Sequence, residues 1–152
     1  MVVDIDGVLA DVRPRLRHLA GPRKDWASFF AAVSDDVALP DGVSLVREMA
    51  ARHEIIYLTG RPEQTRRATE GWLARNDLPP GRLIMRRIRD HRPAGVVKPE
   101  MLAGLGRRVA LVIDDDPAVC DALEALHYPV LRADWMERTA LLDAAQERDA
   151  RT

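Results

Sequence analysis

Cysteine occurs once in 152 residues, as Cys120. A lone thiol forms neither an internal disulfide nor a cysteine-based zinc site, so a reducing compartment is expected. Lysine is nearly as scarce: Lys24 and Lys98 stand against 21 arginines. His18, His53, His91 and His127 lie far apart, with no pair at metal-ligand spacing. No apolar run approaches the ~18 residues of a membrane span, so no membrane association is expected. Asp4 follows Met1 too closely for a leader peptide, which points to the cytoplasm. No Gly-x-x-x-x-Gly-Lys-Ser/Thr run occurs, which excludes a P-loop and with it a kinase half in this chain.

What is present is charge, unevenly placed. The net charge of −1 is the sum of −2 over residues 1–60, +7 over 61–108 and −6 over 109–152. Short apolar runs alternate with helical patterns, the signature of a parallel sheet covered on both faces. The strands predicted are Val2–Ile5, Glu54–Leu58, Arg82–Met85, Val109–Ile113 and Pro129–Leu131. Helices are predicted at Pro14–Leu19, at Trp26–Val33, from an Asp41 cap to Ala50, from Pro62 to Arg75, from Pro117 to Leu126 and over Met136–Glu147. Pro79-Pro80-Gly81 and Pro93-Ala94-Gly95 read as loops. The expectation is one α/β domain over 1–152, three-layered, with a doubly wound, mainly parallel five-stranded sheet. The first strand is short, from a frugal sheet edge or from trimming out of a longer chain.

Open parallel sheets bind ligands beyond the carboxyl ends of their strands. Four stations fall there: Asp4-Ile5-Asp6-Gly7, Thr59-Gly60-Arg61, a loop through Lys98, and Asp114-Asp115-Asp116. Five carboxylates gathered at one edge repel one another, and a divalent cation resolves the conflict. All-oxygen ligands favour magnesium over zinc. Asp114–Asp116 taken alone is equally a solvated loop, but two acidic stations at two strand ends are not. Arg61 is either a surface residue at a helix start or, beside Thr59 and Gly60, a phosphate ligand. Among so many arginines, a lysine at residue 98 points to a required compact charge. Trp26, Trp72 and Trp135 read as packing residues, with base stacking the alternative.

These stations, in this order, resemble the motifs of the haloacid dehalogenase-like phosphatases. The resemblance spans Asp4 to Asp116. It implies a Rossmann-like fold and a phosphoric monoester hydrolase in which Asp4 is the nucleophile that becomes an aspartyl-phosphate. Asp6 is then the general acid and base. Magnesium lies on the side chains of Asp4 and Asp115 and the backbone carbonyl of Asp6, with Asp114 in support. Lys98 and the Thr59 hydroxyl share the phosphoryl charge. In a shifted register Asp115-Asp116 form the acidic pair and Asp121 stands behind them.

The intervals Leu9–Asp41 and Pro62–Val97 are too short for a folded cap, so a capless or minimally capped, open site is expected, suited to phosphates on the ends of large molecules. Arg82, Arg86, Arg87, Arg89 and Arg92 lie within eleven residues. They form either a solvated surface or a patch that tracks a nucleic-acid backbone. A narrower resemblance favours the patch. Asp4–Ala10, Arg13, Arg15, Arg86-Arg87, Arg89, Val96–Glu100 and Ile113–Asp115 are similar to the 3′-phosphatase domain of bacteriophage-type polynucleotide kinase/phosphatase. It implies 3′-phosphate ends of DNA or RNA as substrate, nucleic-acid repair as the setting, and a larger end-healing enzyme with a kinase domain as the context. It also implies phosphate binding by Arg15, with Arg13 in reserve and Arg86 and Arg89 nearby. Ala94 stands where that subfamily has an acidic residue, and Val8 where threonine is common. The alternatives are a nucleotide phosphatase of the same superfamily and a receiver-like signalling domain.

Overall fold

The structure is a computed structural model that describes residues 1–106 and 108–147. Its strands are β1 (Val2–Val3), β2 (Ala10–Asp11), β3 (Val37–Ala38), β4 (Ile55–Pro62), β5 (Gly81–Arg86), β6 (Val112–Asp114) and β7 (Val130–Arg132). Its helices are α1 (Trp26–Ala31), α2 (Pro40–Ala50), α3 (Arg66–Arg75), α4 (Ala94–Ala103), α5 (Pro117–Ala125) and α6 (Ala140–Glu147). Five strands form one sheet in the order β5-β4-β1-β6-β7, every pair parallel. The doubly wound, three-layer α/β architecture expected from the alternating pattern is the one observed.

Side-chain alternation divides the core. Val2, Ile56, Leu58 and Val112 point to one face and meet Leu102 of α4 and Val119 and Leu123 of α5. Val3, Ile55, Tyr57 and Ile113 point to the other and meet Val43 and Val46 of α2 and Trp72 and Leu73 of α3. The inner strands β1 and β4, buried on both faces, are apolar until their carboxyl ends, whereas the edge strands β5 and β7 carry exposed residues.

Residues between β1 and α2 build a small covering layer. A 3-10 turn over Arg13–Leu19 takes the place of the helix expected at Pro14–Leu19. α1 then ends at Ala31 and passes into a second 3-10 turn, Ala32–Asp35. The antiparallel pair β2–β3 ties the ends of this insert together. Leu16, Leu19, Phe29 and Val33 of the insert pack with Met136, Leu142 and Ala145 around α6. The expectation of no folded cap holds in its minimal form.

Further details differ from the sequence pattern. Asp41 sits in the first turn of α2 and does not cap it; Leu39 is the N-cap and Pro40 opens the helix. β4 runs on through Thr59-Gly60-Arg61 to Pro62, with an irregular register against β5 between Thr59 and Pro62. Leu126 is 57% exposed and does not pack. Lys98 lies on α4, where a loop was expected. The buried face of α4, Ala94, Val97, Lys98 and Leu102, includes the lysine, its exposed face includes Val96, and Pro99 lies inside it, so hydropathy does not mark the helix.

Gly95 lets α4 approach α5: a Cβ there would lie 2.9 Å from the backbone oxygen of Ala118. Gly95→Val should therefore lower stability by about 1–3 kcal/mol through forced separation of the helices. A urea midpoint equal to that of the parent protein would refute this.

Candidate active site

From β1 the sheet grows first to one side, through β4 and β5, and then to the other, through β6 and β7, so the crevice between β1 and β6 is the topological switch point. Asp4 leaves β1 on one side of it, its amide donating to the Ile113 carbonyl at 2.9 Å. Asp114 and Asp115 leave β6 on the other. Gly7 closes the turn after Asp4 at φ +81°, a conformation L side chains rarely adopt, and a Cβ there would collide with the Asp115 carboxyl group.

Lys98 joins the two acidic stations. Its Nζ donates to Asp4 Oδ2 at 2.7 Å and to Asp114 Oδ2 at 2.7 Å, and all three residues are buried. Burial works against the charged ammonium, but Asp114 and Asp4 outweigh it and hold its pKa above the ordinary lysine value. Burial pushes Asp4 up to about 7, with Lys98 opposing and Asp114 adding to the rise. Burial, then Asp114 and Asp4, push Asp115 well above the usual carboxylate range.

The acidic triplet divides by partner. Asp114 receives Lys98 on one oxygen and the Asp116 amide on the other, at 3.1 Å. Asp116 is the N-cap of α5 and accepts from the Ala118 amide at 2.9 Å. Asp121 faces Arg132 on the surface at 2.5 Å, away from the crevice, so the shifted register has no place for it behind the pair. Asp115 takes one hydrogen bond on Oδ2, from Arg138 Nη1 at 3.0 Å.

A second cluster lies beside the first. Asp6 Oδ1 accepts from Arg15 Nη2 at 2.8 Å and from Arg61 Nε and Nη2 at 2.8 and 2.6 Å. Asp36 completes it, accepting from Arg15 Nε at 2.6 Å and Arg61 Nη2 at 2.7 Å. Burial raises the Asp6 pKa, but Arg15 and Arg61 outweigh that and take it down to about 2. Burial pushes Asp36 up to about 6 against the opposing pull of Arg15. Arg15 lies over the Phe29 ring at 4.4 Å, and its buried Nη1 has no acceptor. Thr59 is buried, and its hydroxyl accepts from the Arg61 amide at 3.2 Å.

The fold therefore brings Asp4, Asp6, Gly60, Lys98 and Asp115 into one pocket, with Phe29 and Leu142 on its wall. The expectation of an open site is corrected here, because α1 and α6 narrow the entrance. Arg13 is not part of the pocket; it spends its guanidinium on Asp11 at the surface. Arg86 is buried at the end of β5 and braces the following turn, donating to the Arg92 carbonyl at 2.7 Å. Arg89 is exposed on that turn. Ala94, where the subfamily has an acid, is buried at the start of α4, and Val8 is a core residue.

Asp36, Phe29 and Arg138 had no sequence signal. Asp36 is 21 and 25 positions from the arginines it holds, in an interval without a motif. Its backbone carbonyl also accepts from Trp72 Nε1 at 2.8 Å, so Trp72 fixes the cluster as well as filling the core.

Oxygens of Asp4, Asp114 and Asp115 lie within 4.8 Å of one another. Asp4 Oδ1 and Asp115 Oδ1 are buried and have no hydrogen-bond partner. Bare carboxylate oxygens converging from two strands are the donor set of a hard divalent cation such as magnesium. The residues present fit that ion.

The family described as the polynucleotide kinase PNKP phosphatase domain matches residues 1–135. Comparison with curated protein sequences gives no match. Among solved structures, a chain of the Pnkp1/Rnl/Hen1 complex is similar at 22% identity and a TM-score of 0.74, over 90% of this chain and 46% of that one. A chain of the Pnkp1/Rnl/Hen1 RNA repair complex is similar at 21% identity and a TM-score of 0.73, over 86% and 40%. The class C acid phosphatase from Bacillus anthracis with tungstate bound shares 14% identity at a TM-score of 0.62, over 98% and 77%. This chain spans less than half the length of the first two. At such identities the structural likeness speaks for the fold, and the family match speaks for the chemistry. The chain belongs to the polynucleotide kinase PNKP phosphatase domain family, among the haloacid dehalogenase-like phosphatases, and is a phosphoric monoester hydrolase.

Proposed function

We propose that this chain removes the terminal phosphate from the 3′ ends of DNA or RNA, through an aspartyl-phosphate on Asp4 and with magnesium as cofactor. The observation that carries the reading is the pair of bare, buried oxygens on Asp4 and Asp115 facing one crevice, with Lys98 beside them. The family description and the basic segment after β5 support a polynucleotide as the substrate.

In the first step an Asp4 oxygen attacks phosphorus, and the bond from phosphorus to the 3′ oxygen breaks. Asp6 gives its proton to that oxygen, leaving a 3′-hydroxyl. In the second step water attacks the aspartyl-phosphate, Asp6 takes the proton, and inorganic phosphate leaves with Asp4 restored. Asp6 is held as a carboxylate by Arg15 and Arg61 while no substrate is present. A phosphate that draws those guanidinium groups to itself frees Asp6 to carry a proton. Arg15 Nη1 is buried without an acceptor and so has a hydrogen bond left to give to it. Lys98 and Thr59 take up negative charge from the transferring group. Magnesium, held by the Asp4 and Asp115 carboxylates and the Asp6 carbonyl with Asp114 in support, would offset the charge of both carboxylates and phosphate.

The Pnkp1/Rnl/Hen1 neighbours belong to an RNA repair complex. By extension, this chain works in nucleic-acid end repair, within a larger enzyme or assembly that supplies the kinase chemistry it lacks.

The deciding measurement is phosphate release from a 3′-phosphorylated oligonucleotide, compared with a 5′-phosphorylated one and with free nucleoside monophosphates. Preference for the 3′-phosphorylated strand is expected, and preference for free nucleotides would replace this reading with a small-molecule phosphatase. Chelation should stop release and added magnesium restore it; full turnover in chelator would remove the metal from the proposal. Asp4→Asn should abolish turnover in a folded protein, and appreciable residual activity would refute Asp4 as nucleophile. Arg15→Ala should raise KM more than it lowers kcat. Asp36→Asn leaves two buried guanidinium groups on one carboxylate and should lower stability by about 3–5 kcal/mol. An unchanged denaturant midpoint would show that Asp36 does not hold the cluster.

A further inference from the structure

α1 stands between two recesses. Phe29 faces the catalytic pocket, whereas Trp26, Ala27 and Phe30 line a neighbouring groove of about 240 Å³. The groove's remaining lining is Pro62, Gln64 and the turn from Arg86 to His91. Pro62 directly follows Arg61, whose guanidinium touches Asp6, and pairs in register with Arg86. The groove thus opens beside the site of phosphate chemistry.

Its two walls have different chemistry. On α1, Trp26 is half-buried, stacked on Phe30 at a centroid distance of 5.8 Å and edge-on to Phe29 at 5.5 Å. Asp25 caps the helix by accepting from the Ser28 amide at 2.9 Å, which fixes the platform. On the other wall, Asp90 gives its carboxylate to Arg92 at 2.8 Å. Arg87 and Arg89 remain exposed, and no acidic side chain among the described residues pairs with them. Arg89 has φ +70°, an uncommon conformation for a side chain of its size, and the buried Arg86 holds the turn through the Arg92 carbonyl.

A rigid aromatic face opposite unneutralised guanidinium groups is the complement of a single nucleic-acid strand: a flat base on one side, anionic phosphates on the other. We infer that the groove receives the strand leading into the site, with one of its last two bases stacked on Trp26 and its internucleotide phosphates against Arg87 and Arg89. This rests on the 3′-end reading above and adds to it: the enzyme recognises the strand through a base as well as through its phosphates.

The test uses the unmutated protein with 3′-phosphorylated single strands that are intact or abasic at the last or the last-but-one position. One of the two abasic strands should lose about tenfold in kcat/KM, the size of a lost base-aromatic stack. The same loss should be absent in Trp26→Ala, whose kcat/KM already sits at the abasic level. Arg87→Gln, on an exposed turn clear of the core, should reduce the slope of log KM against log salt by about 0.7, one phosphate contact on a single strand. Equal kcat/KM for intact and abasic strands in the unmutated protein would overturn the inference and leave the 3′-phosphatase reading standing. Hydrolysis of 4-nitrophenyl phosphate with no release from any 3′-phosphorylated strand would overturn both. Should Trp26→Ala not fold, the abasic comparison in the unmutated protein still decides.

Discussion

Everything at the switch point depends on one buried ammonium group. Three carboxylates from two adjacent strand ends cannot share a dry crevice unless cations stand among them, because each desolvated negative charge raises the cost of the next. Lys98 meets that constraint by reaching Asp4 and Asp114 together. To do so it must sit on a helix pressed hard against α5, and the small Gly95 allows the approach. The lysine leaves one oxygen of Asp4 and one of Asp115 bare, so the crevice is balanced in part and still receptive to a divalent cation.

The neighbouring arginine cluster solves the same problem differently. Arg15 and Arg61 each touch both Asp6 and Asp36, so two positive and two negative groups are buried as a unit. Arg61 comes from the sheet, while Arg15 and Asp36 come from the insert between β1 and α2. The ion cluster therefore fastens the covering layer to the catalytic edge. It also holds both guanidinium groups in fixed positions, so that on the proposed function little side-chain ordering would remain when a phosphate arrives.

Much of this was legible from residue order. The five strands of the main sheet, the carboxyl-end positions of Asp4, Asp6, Thr59-Gly60-Arg61 and Asp114-Asp115, and the absence of a large cap all follow from apolar runs broken by acids and glycine. Strand ends shifted by a few residues because pairing, not composition, sets where a ladder stops. α4 escaped notice because its buried face carries Lys98, its exposed face carries Val96, and Pro99 lies inside it, so hydropathy does not follow burial along the helix. Arg13 and Arg15 are two residues apart and chemically alike, yet one lies on the surface with Asp11 and the other is buried over Phe29. That choice depends on which side of a 3-10 turn each residue occupies, a matter of packing.

By itself, the sequence determined the doubly wound sheet, the stations at its carboxyl edge and the family of chemistry, because these are written in local periodicity and in motifs a few residues long. The tertiary structure decided which acids keep a bare oxygen and which are spent on caps and ion pairs. It also decided that Asp36 holds both arginines, and that Trp26 and the arginine turn face one another across a groove. Those facts join residues tens of positions apart, and burial together with the competition for hydrogen-bond partners fixes them only once the chain has closed on itself.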